Sequence, residues 1–152
     1  MTRRGALRPA TDPGRASEEA IVALSRATDR VKRVVGSALE PRGLTGQQYN
    51  VLRILRGAGE ALPVLEVAER MLERTPGITR LLDRLDHKGL VSRERCAGDR
   101  RQVLCSITPR GLRQLEELDG VVDAADEQAF ASLDPRELRE LIRLLDAVAE
   151  EP

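Results

Sequence analysis

One phenylalanine, one tyrosine and no tryptophan stand among the 152 residues. A core therefore has to be built from aliphatic side chains, and a cleft for a flat aromatic ligand has few stacking partners to draw on. Two cysteines, Cys96 and Cys105, do not make a disulfide scaffold. One histidine, His87, without a cysteine cluster does not make a zinc site, so no metal or cofactor is expected. Its place in the last turn of an expected helix suits an interaction with the helix C-terminus. No apolar run approaches the ~18 residues of a membrane span. The basic N-terminus, MTRRGALRPATDPGR, lacks the apolar stretch of a secretory signal, and cytoplasmic residence is expected. No nucleophile–base arrangement is visible, and the acidic pairs read as solvated helix faces, so an enzyme is not expected.

What the chain has in quantity is charge. Charged residues make up 33% of it, and Lys/Arg and Asp/Glu balance at 25 each. The balance hides an asymmetry. Residues 70–110 carry ten basic against five acidic side chains, whereas residues 111–152 carry four against twelve. A basic middle and an acidic tail suit a chain of which one part meets a polyanion.

Residues 1–16, rich in Arg, Pro, Gly and Thr, read as a flexible arm before a single domain over 17–152. A first helix is expected from Ser17, with Ile21, Leu24, Thr28, Val31, Val35 and Ala38 at steps of three and four, ended by Pro41 and Gly43. Thr45-Gly46-Gln47-Gln48 is a capping box opening a second helix, which stops at Gly57. Ala61-Leu62 suits a very short strand, and Pro63 opens a third helix bearing Val64, Val67, Ala68 and Met71. A fourth helix is expected from Thr75-Pro76 to Lys88, closed by Gly89. Leu90–Arg95 and Gln102–Ile107 read as two strands, the second alternating Val103, Cys105 and Ile107 with Gln102, Leu104 and Ser106. Thr108-Pro109 caps a long fifth helix, and Asp134-Pro135-Arg136-Glu137 is a capping box for a sixth. The fold class is therefore mainly α with a small β-hairpin. It is a winged helix-turn-helix over about 44–110, flanked by helices over about 17–40 and 109–150.

At about 100° per residue, Ile78, Leu81, Leu82 and Leu85 of the fourth helix face inward, and Pro76, Thr79, Arg80, Asp83, Arg84 and His87 face away. Arg80 and Arg84 lie one turn apart, where a guanidinium fork can meet guanine edges in a major groove. A solvated helix face is the commoner origin of any single arginine pair. The following hairpin adds weight to the first reading. Asp99, Arg100 and Arg101 sit at its tip, with Arg93 and Arg95 on its first strand. A tip arginine can enter a narrow minor groove. Charge that only blocked edge aggregation would not need this excess of one sign.

Three stretches, LTGQQYNVL, TRLLDRLDHKGLVSR and DRRQVLCSITPRG, resemble the MarR (multiple antibiotic resistance regulator) family in wording and spacing across about residues 44–112. The resemblance implies a homodimer interlocked through its first, fifth and sixth helices. It implies a pseudo-palindromic double-stranded DNA operator, usually repressed. Carried onto this chain, Thr79, Arg80 and Arg84 would face bases or phosphates of the major groove. Thr75 and Pro76 stand at the start of that helix. Arg101 would enter the minor groove beside Arg100, oriented by Asp99, while Arg93 would support the wing or contact phosphate. Many members are released from DNA by small aromatic or lipophilic acids, and Tyr49 lies where the family places its ligand cleft. Others respond to cysteine oxidation. Here Cys96, beside Arg95, is the one thiol in an electropositive setting, and Cys105 falls on the core side. The alternative from another class is a winged-helix module that docks a partner protein, for which the basic wing has no use.

Overall fold

The computed structural model describes residues 13–150. It contains α1 (Pro13–Leu39), α2 (Gly46–Ala58), β1 (Leu62–Pro63), α3 (Val64–Arg70), α4 (Ile78–His87), β2 (Val91–Arg95), β3 (Val103–Ile107), α5 (Pro109–Ala129) and α6 (Pro135–Ala149). The expected winged helix-turn-helix and its flanking helices are all present.

Local chemistry explains most of the boundaries. α1 passes into a 3-10 turn over Glu40–Arg42, as Pro41 requires. In α2 the capping box forms on both sides: Gln48 N–H donates to Thr45 Oγ1, and Thr45 N–H donates to Gln48 Oε1, each at 3.2 Å. Asp134 and Glu137 repeat the device at α6. Thr108 caps α5 by accepting the Gly111 N–H, and its own hydroxyl donates to Gly89 O at 2.7 Å, tying that helix to the turn after α4.

Two boundaries depart from the expectation. α1 already runs from Pro13, so Ser17 lies inside it rather than capping it. Pro13 is tolerated there because the first helical turn needs no N–H from it. The rest of the arm, residues 1–12, lies outside the described residues. α4 begins at Ile78, not at Thr75-Pro76. The residue before a proline is pushed away from helical angles, and Gly77 takes a left-handed φ of 85° that breaks any helix running through it.

The three strands form one antiparallel sheet in the order β1-β3-β2. Leu62 pairs with Cys105, and Arg93 pairs with Cys105 from the other side. Pro63, with no N–H to give, sits on the edge strand, where none is demanded.

Under this sheet lies a core that is almost wholly aliphatic. Val51, Leu52 and Leu55 of α2, Val67 of α3, Leu82 and Leu85 of α4, Leu90, Val91, Cys105, and Leu115 and Leu118 of α5 are all buried. Each large aliphatic side chain contributes roughly 1.5–3 kcal/mol on burial. Gln48 is the one buried polar residue among the described residues. Besides its capping bond it accepts from Lys88 Nζ at 3.2 Å, so its carbonyl is satisfied.

The outer helices differ. α6 has no buried residue at all, and its Ile142 is 51% and Val148 77% exposed. Ile21 of α1 is 67% exposed. The apolar stripe continues half-buried through Val31, Val35 and Ala38 of α1, but Ile21 and Leu24 at its start and Ile142, Leu145 and Val148 of α6 stay exposed among the described residues of one chain.

Candidate nucleic-acid interface

α4 presents the inner face its periodicity requires: Leu81, Leu82 and Leu85 are buried and Ile78 is half-buried. Thr79, Arg80, Arg84 and His87 are exposed on the opposite side, and Pro76 is exposed just before the helix. Among the described residues, neither Arg80 nor Arg84 has an acidic partner. The N-terminus of α4 also lacks the side-chain cap that Thr45, Thr108 and Asp134 supply to α2, α5 and α6. Its first amide N–H groups are left to an outside acceptor, the arrangement that suits a phosphate. Thr75, expected at the start of this helix, is half-buried and donates its hydroxyl to Glu73 O at 3.1 Å.

Of the two roles open to Arg93, wing support and phosphate contact, the geometry displays the first. Its Nη1 lies 2.6 Å from Asp83 Oδ1, and its Nε and Nη2 donate to Asp86 Oδ2 at 3.3 and 3.2 Å. β2 is thereby bolted to α4, and two carboxylates on the arginine-bearing helix are neutralised. The sequence does hold a signal for this. Arg93 stands two residues from buried Val91 on the same strand, so both fall on the α4 side of the sheet.

At the wing tip, Asp99, Arg100 and Arg101 are exposed. Cys96 N–H donates to Gln102 O at 2.9 Å and Gln102 N–H to Asp99 O at 3.0 Å, closing a tight reversal. Asp99 does not hold the Arg101 guanidinium. Its Oδ1 accepts the Arg101 backbone N–H at 3.0 Å, an Asx turn. A reversal leaves an amide with no strand partner, and the carboxylate two residues back is the acceptor within reach. Asp99 therefore sets the tip backbone, and the Arg101 side chain projects from it without a partner among the described residues.

Tyr49 belongs to the core, 7% exposed, with the Arg53 guanidinium 5.9 Å from its ring centroid. Burial pushes its phenol above the usual tyrosine range, against the opposing pull of Arg53. Cys105 is buried, and that burial pushes its thiol up, away from the reactive thiolate. Cys96 is half-buried. In the ladder it stands opposite Gln102 while Cys105 stands opposite Arg93, so the two sulfurs are not cross-strand partners.

Two ion pairs escape sequence reasoning because their partners are far apart in the chain. Arg56 of α2 grips Asp119 of α5 with two hydrogen bonds of 2.8 and 3.0 Å. Lys32 of α1 reaches Glu73, in the turn before α4, at 2.8 Å. The hydrogen bonds from Arg56 hold the Asp119 carboxyl below its usual range. A carboxyl depressed in the folded state adds stability above its unfolded pKa of about 3.9, and that stability is lost as pH falls through the lower folded value. Asp119→Asn should therefore cost about 0.5–1 kcal/mol at pH 7, as a partly exposed pair does. The difference from wild type should be flat from about pH 6 to 8 and vanish in strong acid. Urea midpoints across pH would show it.

The model of the MarR family matches residues 42–102. A MarR transcription factor from Planctomyces limnophilus is 37% identical, the match covering 93% of this chain and 98% of that one, with a TM-score of 0.70. The chain belongs to the MarR family. Two further relatives of this MarR-family transcription regulator are 25% identical. BpsR of Bordetella bronchiseptica, whose DNA binding is regulated by 6-hydroxynicotinic acid, matches 87% of this chain and 99% of its own with a TM-score of 0.80. A mutant MarR of E. coli in complex with operator DNA matches 92% of this chain and 100% of its own with a TM-score of 0.81.

Proposed function

We propose that this regulator is a homodimeric repressor that reads a pseudo-palindromic DNA operator with α4 in the major groove and the β2–β3 wing in the minor groove. The observation that carries this reading is a division among the arginines. Arg93, on the inner side of the wing, is consumed by Asp83 and Asp86, whereas Arg80, Arg84 and Arg101, on the outer side, are left without acids among the described residues. The family and the relative bound to operator DNA support the same reading. Thr79 stands beside Arg80 on the same exposed face. Thr75, Pro76 and Arg100 flank the surface as backbone-positioning contacts. The test is binding to a promoter fragment and to scrambled duplex across a salt series. The logarithm of affinity should fall linearly with that of salt for both, with the promoter bound at least about a thousandfold more tightly. Equal affinity for both would remove the operator reading.

The dimer follows from α6. A helix with no buried residue and an apolar face gains its stability by packing against a second copy. Sedimentation at micromolar concentration should show twice the 16.8 kDa chain mass. Ile142→Glu with Leu145→Glu should shift the chain toward monomer, since two charges would enter an apolar contact. The two α4 helices should then lie about one DNA turn apart, ~34–36 Å.

A small aromatic or lipophilic acid is the proposed releasing signal, contacted at Tyr49. Support comes from the relative regulated by 6-hydroxynicotinic acid and from the Arg53 guanidinium over the Tyr49 ring. Tyr49→Phe should weaken release while leaving operator affinity unchanged. An unaltered response would take Tyr49 out of the site.

A further inference from the structure

A recess of about 260 Å³ opens between the turn after α1 and the first turns of α5. Arg42, Arg110, Arg113, Gln114, Glu117 and Leu118 line it. Three arginines thus line one small space against a single acidic residue, Glu117. None of the three has a hydrogen bond or ion pair through its side chain among the described residues. By contrast, Lys32, Arg56 and Arg93 each bridge elements by meeting an acid.

The three arginines are exposed, but the backbone that carries Arg42 is pinned. Gln114 Nε2 donates to Arg42 O at 3.0 Å, pinning the turn to α5. Lys88 Nζ donates to Gly43 O and to Gln48, pinning the same turn to the end of α4. The Arg110 side chain lies across Gly89, its Nη1 3.7 Å from where a side chain would begin. The buried Leu118 is an apolar floor. Like charges gathered in one recess repel, and an anion that accepted from two guanidinium forks would remove that repulsion.

We propose that this recess binds a small oxyanion bearing two negative charges, a phosphate group or a short dicarboxylate. Its volume suits ions of that size and falls below the range of drug-sized ligands, roughly 300–1,000 Å³. Bound there, the anion joins the end of α1 to the start of α5 and, through Arg110, reaches the turn that ends the arginine-bearing helix. The consequence for DNA rests on the regulator reading, but the binding itself does not.

The full chain is titrated without DNA, by calorimetry, with inorganic phosphate and with succinate in separate runs at constant chloride. At least one should bind, and the tighter of the two identifies the source. Arg110→Gln with Arg113→Gln should lower affinity at least about tenfold, the value of a charge-assisted hydrogen bond. Arg80→Gln with Arg84→Gln should leave it within about twofold, since neither residue lines the recess. Glu117→Gln, which removes the one opposing carboxylate, should tighten binding severalfold and gives a reading even where the double variant folds poorly. The proposal is overturned if neither anion binds, if Glu117→Gln changes nothing, or if the Arg80 and Arg84 variant loses as much as the recess variant. It is overturned equally if the recess variant binds duplex with a reduced salt slope while wild type binds no free anion, because the recess is then a DNA phosphate contact. Absence of operator binding would sink the regulator reading and leave the anion titration as it was.

Discussion

Gly111→Ala should destabilise the protein by about 3 kcal/mol or more, lowering the thermal midpoint by roughly 6–12 °C. Gly111 sits in the first turn of α5, pressed against the strand that follows the arginine-bearing helix. A methyl group there would stand 2.3 Å from Leu90 O and 2.8 Å from Ile107 Cγ1. The carbonyl cannot move aside, since it accepts the Thr108 N–H at 3.0 Å. Relief would require α5 to lift from the sheet, taking buried Leu115 and Leu118 with it. Gly57→Ala is the control. Nothing lies within 4 Å of its methyl position in α2, so the gain in helix propensity should stabilise by up to about 1 kcal/mol. Thermal unfolding of both variants decides the matter. If Gly111→Ala melts within about 2 °C of wild type, α5 does not pack on Leu90 as described.

The second large effect concerns DNA. Removing the Arg80 or Arg84 side chain should cost about 1–3 kcal/mol per half-site and relax specificity at one position of each. A dimer carries the substitution in both half-sites, so operator affinity should fall by about 2–6 kcal/mol. Arg101→Ala should act differently. The minor groove carries little base identity, so operator and scrambled duplex should weaken by similar factors. The salt slope should flatten by about 1 for each phosphate that Arg101 no longer neutralises. Asp99→Ala should be a milder version, because it frees the tip backbone without removing the charge. Arg93→Ala belongs to a third kind: it leaves Asp83 and Asp86 uncompensated on α4 and unbolts the wing, so stability and DNA affinity should fall together. A binding series on both duplexes, with unfolding midpoints, separates the three. Undiminished affinities in Arg101→Ala would show that the wing does not touch DNA.

Much of this is legible in the chain because it depends on neighbours in sequence. Thr45–Gln48 and Asp134–Glu137 mark helix starts, since a cap and its partner are three residues apart. The faces of α4 follow from a period of about 3.6. The wing follows from two short alternating runs around a glycine-containing tip. The start of α4 is not legible, because a proline that suits a first helical turn suits a turn outside a helix equally well, and only the left-handed Gly77 decides between them. The start of α1 reads late because its apolar stripe begins at Ile21, after the helix itself.

The sequence alone determined the order of elements, the caps, the aliphatic core and the basic outer surface of α4 and the wing, all consequences of local hydrogen bonding and of periodic burial. The tertiary structure alone decided which arginines are free. Arg93 and Arg101 are the same residue type on one hairpin, yet one is held by two carboxylates of α4 and the other by none among the described residues. Arg56 finds Asp119, whereas Arg42, Arg110 and Arg113 line one recess with no acid paired to them among the described residues. Charge is countable along a chain, but neutralisation depends on distances of about 3–4 Å between groups that only the folded backbone brings together.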